Sequence, residues 1–139
     1  MSAVAKAPAV ALGHEILLVE RSAMVGSIIV STARQLGLRP VRLVTNIRSA
    51  HHFLANHAFD GVITSLDEED EALLMIQMLR GGYFKSEADT PVAITTALCD
   101  APTAKRIKSL DVRRILLKPF KIRDLVTTIE MLTEGARQV

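Results

Sequence analysis

A short β-branched run between turn-forming residues constrains this chain more strongly than any other stretch. The run is Val62-Ile63-Thr64, which follows Asp60-Gly61 and is closed by Ser65. A run of this kind is typical of a strand buried on both faces of a parallel sheet. We therefore predict a central strand at residues 62–64. Ser65 falls at its carboxyl end, where open α/β sheets collect their functional groups.

The rest of the chain repeats a unit of one strand followed by one helix. Short apolar runs predict the other strands at residues 15–19, 40–44, 91–95 and 114–117. Helical spacing and capping residues predict helices at about residues 22–36, 46–57, 67–79, 100–108 and 121–134. Five strands alternating with five helices predict an α/β fold. Its parallel sheet is covered by helices on both faces through right-handed crossovers.

Particular residues set the predicted helix boundaries. Ser22, Asn46 and Asp100 are predicted N-caps, because their side-chain oxygens can accept hydrogen bonds from free backbone amides. The acids of residues 67–71 are predicted to open the third helix, where they complement its macrodipole. In the first helix, one apolar face is predicted at helical spacing: Val25, Ile28, Ile29, Thr32 and Leu36.

Length and composition exclude several classes of protein. The 139 residues suit one domain, predicted at residues 14–134 between a disordered tail at 1–13 and a short tail at 135–139. A net charge of +2 is too small to argue for nucleic acid binding. No apolar run approaches the ~20 residues that a membrane span needs. The single cysteine, Cys99, excludes an internal disulfide and fits a reducing compartment, so we expect a cytoplasmic protein.

The histidines and the cysteine support no metal or catalytic prediction. His51, His52 and His57 lack the i, i+4 spacing that places two ligands on one helical face. Cys99 and Ser65 would each need an adjacent base to act as nucleophiles, and the sequence places none beside them. We therefore predict no metal, no cofactor and no enzymatic activity.

Several motifs, in their order and spacing, resemble the receiver domain of bacterial response regulators, the CheY-like family. Leu18-Val19-Glu20-Arg21 is similar to that family's first strand with its acidic pair, and Ser65 stands at the phospho-accepting aspartate. Thr96 falls at the switch threonine, and Lys118-Pro119-Phe120 resembles the lysine–proline motif. Ile115 stands where the family usually has an aromatic switch residue. The resemblance implies a doubly wound, flavodoxin-like sheet of strand order 2-1-3-4-5 and a cis bond before the proline.

The departures from the family pattern predict a degenerate receiver that does not accept phosphate. The implied chemistry needs an aspartate nucleophile and a magnesium ion held by carboxylates, whereas Ser65 is neutral and Arg21 replaces the second acid. With Glu20 and Lys118 the expected pocket charge is positive, or neutral if Asp67 contributes, and this disfavours a dication. We expect Arg21 or Lys118 to pair with Glu20 in the place of the metal.

A basic set near the fourth helix and fifth strand is the predicted partner surface: Lys105, Arg106, Lys108, Arg113 and Arg114. In the receiver fold that the resemblance implies, the fourth helix, fifth strand and fifth helix form one face used for partners and dimers. The leading hypothesis is a phosphorylation-independent interaction module of two-component signalling. It would bind a kinase, motor or effector domain, or a second copy of itself.

The alternative hypothesis is a cyclic-dinucleotide effector. Some receiver-like proteins that resemble this one bind cyclic dinucleotides through arginine-rich segments, which here would be Arg113 and Arg114. Arginine can bind phosphate in a bidentate manner and stack on bases. We expect no direct DNA binding in either case.

Overall fold

The structure, a computed structural model, describes the backbone of residues 15–137 and the side chains of residues 15–133. The strands are β1 (Ile16–Val19), β2 (Val41–Val44), β3 (Gly61–Ser65), β4 (Val92–Thr96) and β5 (Arg114–Leu117). The helices are α1 (Ala23–Gln35), α2 (Ile47–Asn56), α3 (Glu69–Arg80), α4 (Ala101–Lys108) and α5 (Ile122–Arg137). The predicted N-terminal tail lies outside the described residues. The last helix continues three residues beyond the predicted domain end at residue 134.

The strands form one parallel sheet in the order β2-β1-β3-β4-β5, which confirms the predicted fold class and strand order. β3 is central, and Ile63 lies in register between Leu18 of β1 and Ala93 of β4. Every residue of β3 is buried, as predicted for a strand covered on both faces. β5 forms one edge of the sheet and is only partly covered.

The two faces of the sheet carry separate hydrophobic cores. Because alternate residues of a strand point to opposite faces, Leu17 packs with α2, α3 and α4, whereas Leu18 packs with α1 and α5. Both residues are almost completely buried. This is the three-layer arrangement that the alternating units predict. Among residues 15–137, no helix is long and apolar enough to span a membrane.

Helix α1 packs through a different face from the one predicted. Its buried residues are Gly26, Ile29 and Ala33. Ile28 and Leu36, both assigned to the predicted apolar face, are 49% and 56% exposed. A Cβ added at Gly26 would lie 2.5 Å from Leu43 Cδ1 of β2. The small residues therefore set the line of closest approach to the sheet, and apolar side chains beside that line remain at the surface.

The predicted N-caps are confirmed. The Ser22 hydroxyl accepts a hydrogen bond from the Val25 amide at 3.2 Å, and the Asn46 side chain accepts from the Ser49 amide at 2.8 Å. Asp100 accepts from the Thr103 amide at 2.9 Å. This hydrogen bond lowers the pKa of Asp100 below its usual range, because it stabilises the ionised carboxylate.

Candidate functional site

The carboxyl ends of the strands bring the predicted pocket residues together at one edge of the sheet. Glu20 follows β1, Ser65 and Thr96 end β3 and β4, and Lys118 follows β5. The Lys118 amide donates to the Thr96 carbonyl at 2.8 Å, which extends the β4–β5 ladder to the lysine. The Lys118–Pro119 bond is cis, as predicted. This edge is therefore the candidate functional site.

An internal ion pair joins the two charged ends of this site. Lys118 Nζ lies 3.1 Å from Glu20 Oε1, and the two side chains are 27% and 4% exposed. Glu20 Oε2 accepts a second hydrogen bond from the Ser22 amide at 2.8 Å. A buried carboxylate needs partners of this kind, because desolvation of an unpaired charge is costly.

Of the two pairings expected for Glu20, the structure selects Lys118. Arg21 is exposed and forms no ion pair with any described residue. It turns instead toward the cavity beside Ser65, which it lines. Arg21 therefore belongs to the site, but it does not pair with Glu20.

The cavity beside Ser65 has a volume of about 340 Å³ and contains two acids that follow β3. Its lining residues are Arg21, Thr45, Asn46, Ser65, Asp67 and Glu68. Ser65 is 5% exposed, so its hydroxyl is largely withdrawn from solvent. A serine hydroxyl is a weak nucleophile unless an adjacent base removes its proton.

The charge expected for this pocket, positive or neutral with Asp67, did not include Glu68. Glu68 lines the cavity, and its Oε1 accepts a hydrogen bond from the Ile47 amide of α2 at 2.9 Å. Taken with the ion pair, the site holds two cations and three carboxylates. We predicted that all the acids from residue 67 to residue 71 open α3. The helix begins at Glu69, so Glu68 precedes it and lines the pocket.

The described residues contain no group of three or more histidine, cysteine or acidic side chains arranged to hold a metal ion. Of the three acids at the site, Asp67 and Glu68 line the cavity beside Ser65, whereas Glu20 pairs with Lys118. Glu20 is committed to Lys118 and to the Ser22 amide, and Glu68 is bonded to α2. Magnesium requires several hard oxygen ligands in near-octahedral geometry. Two of the three carboxylates are thus already engaged in other contacts.

The threonines at the end of β4 differ in their hydrogen bonding. Thr96, at the predicted switch position, donates from its hydroxyl to the Leu98 carbonyl at 2.7 Å. Thr95, the register partner of Ser65, is 2% exposed and its hydroxyl has no hydrogen-bond partner among the described residues. No sequence signal distinguishes Thr95, because threonine is common in β-strands.

The predicted basic set is not gathered on one face. Arg106 turns toward α3, where its Nη1 lies 3.3 Å from Asp70 Oδ1 and 3.7 Å from Glu69 Oε2. Lys108 lies about 200° further around the helix axis, on the flank nearer β5. Lys105 is exposed on the outer side of α4.

Arg113 and Arg114 lie on opposite faces of the sheet. Arg114 pairs in register with Ala93, which belongs to the core beneath α1 and α5. Its neighbour in sequence must therefore point to the other face, and Arg113 is close enough to Arg80 to affect that residue electrostatically. The two arginines therefore lie on the two sides of the β5 edge. Alternation along β5 separates them.

Comparison with solved structures places the chain in the receiver-domain fold. A response regulator from Thermotoga maritima is 23% identical, with a TM-score of 0.73 over 88% of this chain and 99% of that chain. The receiver domain of an HD domain-containing protein from Pseudomonas fluorescens Pf-5 is 18% identical, with a TM-score of 0.78 over 91% and 99%. The chemotaxis response regulator CheY4 of Vibrio cholerae is 19% identical, with a TM-score of 0.72 over 86% and 98%.

These similarities concern the fold of the chain. No protein-family model matches the sequence, and no curated protein matches it. The solved structures cover the same five-stranded unit almost completely, so the described domain corresponds to a whole receiver domain in extent.

Proposed function

We propose that this protein is a degenerate receiver of bacterial two-component signalling that acts as a protein-interaction module without being phosphorylated. The observation that carries the proposal is the pocket itself, in which Ser65 stands at the nucleophile position and Lys118 is bound to Glu20. A neutral serine cannot replace an aspartate that attacks phosphohistidine and also binds magnesium. The role is not enzymatic, and the expected compartment is the cytoplasm.

The proposed working surface lies at the β5 edge of the sheet. Leu98, Ile115 and Leu117 are large apolar residues that are 83%, 37% and 57% exposed. Leu117 pairs in register with Thr96, and Leu98 follows two residues later, so the three lie near one another at the top of this edge. Lys105 and Lys108 are exposed cations of α4, the helix that connects β4 to β5. We call these five residues the β5-edge surface.

A protein partner suits the β5-edge surface better than a small anion does. Exposed apolar side chains rimmed by charge are typical of protein interfaces, in which the rim steers association and the apolar centre supplies affinity. A kinase, motor or effector domain with an acidic rim, or a second copy of this chain, would fit this pattern. Ile115 has no aromatic ring to reorient, so the surface is available without a phosphorylation-driven switch.

The cyclic-dinucleotide alternative gains no support from the described geometry. That hypothesis rested on Arg113 and Arg114 gripping one ligand, but the two side chains leave β5 toward opposite faces of the sheet.

The first test concerns phosphorylation. The protein is incubated with magnesium and either acetyl phosphate or beryllium fluoride, and intact mass and amide chemical shifts are recorded. We expect no stoichiometric adduct and no magnesium-dependent shifts around Ser65. A covalent phosphate on Ser65, or saturable shifts there that require magnesium, would refute the proposal.

The second test concerns the β5-edge surface and uses a matched leucine as its control. Leu117→Asp removes an exposed leucine of the surface, and Leu74→Asp removes a leucine of α3 that is similarly exposed, at 53%. Tagged proteins are used to capture partners from native bacterial lysate, with and without prior acetyl phosphate treatment. We expect capture to be lost with Leu117→Asp, kept with Leu74→Asp and unaffected by acetyl phosphate. Equal capture by both variants would show that the partner binds elsewhere.

A further inference from the structure

A second cavity lies on the other side of the Glu20–Lys118 ion pair, between α1 and the start of α5. Its volume is about 490 Å³, which is within the range of about 300–1,000 Å³ found for small-molecule sites. Its walls are Val25, Ile28 and Ile29 of α1 and Pro119, Phe120 and Ile122 at the start of α5. Its polar groups are Glu20, Ser22 and Lys118. We call this cavity the α1–α5 groove.

Part of the apolar wall of the groove lies outside the core. Helix α1 contacts the sheet through Gly26, Ile29 and Ala33, so Val25 and Ile28 lie beside that contact and are partly exposed. Ile122, on the opposite wall, is also partly exposed. Apolar side chains that face each other across an open cavity would be removed from water by an apolar ligand.

The polar groups of the groove offer unused hydrogen-bond donors, whereas each oxygen of its carboxylate already accepts one hydrogen bond. Both Glu20 oxygens are engaged, one by Lys118 Nζ at 3.1 Å and the other by the Ser22 amide at 2.8 Å. A lysine ammonium carries three donors, and Lys118 uses one of them on Glu20, its partner among the described side chains. A ligand oxygen that accepts a hydrogen bond would complete the coordination of this ammonium.

The charge of the groove favours an uncharged ligand. Glu20 and Lys118 neutralise each other, and Glu20 is almost completely buried. A second carboxylate beside this pair would leave an unbalanced negative charge against apolar walls, and a cation would meet a carboxylate that is already neutralised by Lys118.

We propose that the α1–α5 groove binds a small, uncharged, mainly apolar molecule with one carbonyl oxygen, which accepts a hydrogen bond from Lys118. The chemical class is that of medium-chain ketones, esters and lactones. This inference does not depend on the β5-edge surface, because that surface lies on the opposite face of the sheet.

The test uses three probes of equal chain length: nonan-2-one, nonanoate and non-1-ene. Each is titrated into the full chain at about pH 7 while backbone amide and isoleucine methyl shifts are recorded. We expect saturable shifts at Val25, Ile28, Lys118 and Ile122, with the ketone binding at least about tenfold more tightly than the other two. Tighter binding of nonanoate, or no saturable shift with the ketone, would overturn the proposal.

Two variants localise the binding. Ile28→Glu places a charge in the groove, whereas Leu36→Glu places the same charge at the other end of α1, on a residue that does not line the groove. We expect the affinity for nonan-2-one to fall at least about tenfold with Ile28→Glu and to stay unchanged with Leu36→Glu. Equal effects of the two variants would contradict the assignment of the site.

A third variant tests the donor. Lys118→Met alone would leave Glu20 buried without its cation, so the double variant Glu20→Met with Lys118→Met removes both charges together and adds no new donor. In this variant the preference for the ketone over non-1-ene should disappear while the affinity for non-1-ene is retained. A ketone preference that survives would exclude Lys118 as the donor and overturn this part of the proposal.

Discussion

Arg80 shows how one side chain can hold several loops in place. It extends from the end of α3, and its guanidinium donates to four backbone carbonyls: Leu110 at 2.9 Å, Ala88 at 2.9 Å, Thr90 at 2.7 Å and Asp111 at 3.1 Å. Burial lowers the pKa of Arg80 from its usual value, yet an arginine remains charged at neutral pH. These charge-assisted bonds join the loop before β4 to the loop before β5.

We expect Arg80→Met to destabilise the fold by about 2–4 kcal/mol, because the aliphatic stem is kept while the bonds to four backbone carbonyls are lost, two of them partly buried. Arg80→Lys should recover only part of this, since a lysine lacks the planar fork. Urea unfolding followed by circular dichroism measures the change. Arg48→Met, at an exposed arginine of α2, is the control and should change stability by less than about 0.5 kcal/mol. Equal midpoints for Arg80→Met and Arg48→Met would contradict this role.

The candidate site also depends on single residues, namely Ser65, Glu20 and Lys118. Each stands where the receiver resemblance implies a catalytic or switch residue, but the structure commits Lys118 to Glu20. The residue types alone left two candidate partners for Glu20. The distance of 3.1 Å decides between them.

At the scale of the helices, local chemistry sets where each one begins. Ser22, Asn46 and Asp100 each accept a hydrogen bond from an amide three residues further on. Local sequence does not determine in the same way which face of a helix is buried. In α1 the buried face is centred on Gly26 and Ala33, which carry little hydrophobic signal but allow close approach to the sheet.

The Asp100 cap predicts a pH dependence for the stability of α4. The pKa of this carboxyl is lower in the folded protein than its usual value of 3.8, because the ionised form accepts the Thr103 amide. Its contribution is therefore present above about pH 4 and is lost as the pH falls through the lowered folded value. Asp100→Asn keeps an acceptor but cannot ionise.

We expect wild type to be more stable than Asp100→Asn near pH 7, and the gap to close near pH 2 as the carboxylate of the wild type becomes protonated. Urea midpoints of both proteins across this range provide the measurement. A gap that is independent of pH would show that the ionised form of Asp100 contributes nothing to stability.

At the scale of the whole molecule, the parallel sheet assembles the site from segments that are distant in sequence. Glu20, Ser65, Thr96 and Lys118 meet because all five strands run in the same direction and end at one edge. Glu68 joins them through the same topology, since the turn after β3 faces the start of α2. The resulting charge balance depends on every loop at that edge.

Restoring the acids of a working receiver should restore magnesium binding at this edge. Ser65→Asp combined with Arg21→Asp rebuilds an acidic cluster beside Glu20, whereas Ser65→Asp alone leaves Arg21 lining the cavity. We expect the double variant to bind magnesium at least about tenfold more tightly than the single variant, as measured by calorimetry or amide shifts.

The control for this prediction keeps the same net charge. Ser65→Asp combined with Arg34→Asp reverses an exposed arginine near the other end of α1, away from the cavity. It should bind magnesium no better than Ser65→Asp alone. Equal affinity of the two double variants would mean that overall charge, and not the position of Arg21, controls the metal.

The amino-acid sequence by itself determined the five strand–helix units, the helix caps and the strand end at which Ser65 lies. These depend on local hydrogen bonding and on the spacing of apolar residues along one element. The parallel order of the strands then placed Glu20, Thr96 and Lys118 at the same edge of the sheet as Ser65.

Only the tertiary structure decided which groups touch. It paired Glu20 with Lys118 and not Arg21, turned Glu68 into the pocket, and separated Arg113 from Arg114 across the sheet. Each of these outcomes depends on the distance between two helices or strands. It also depends on the direction in which a side chain points from its own helix or strand. Such distances are set by the packing of small residues such as Gly26 against distant partners, and no periodicity along one segment contains them.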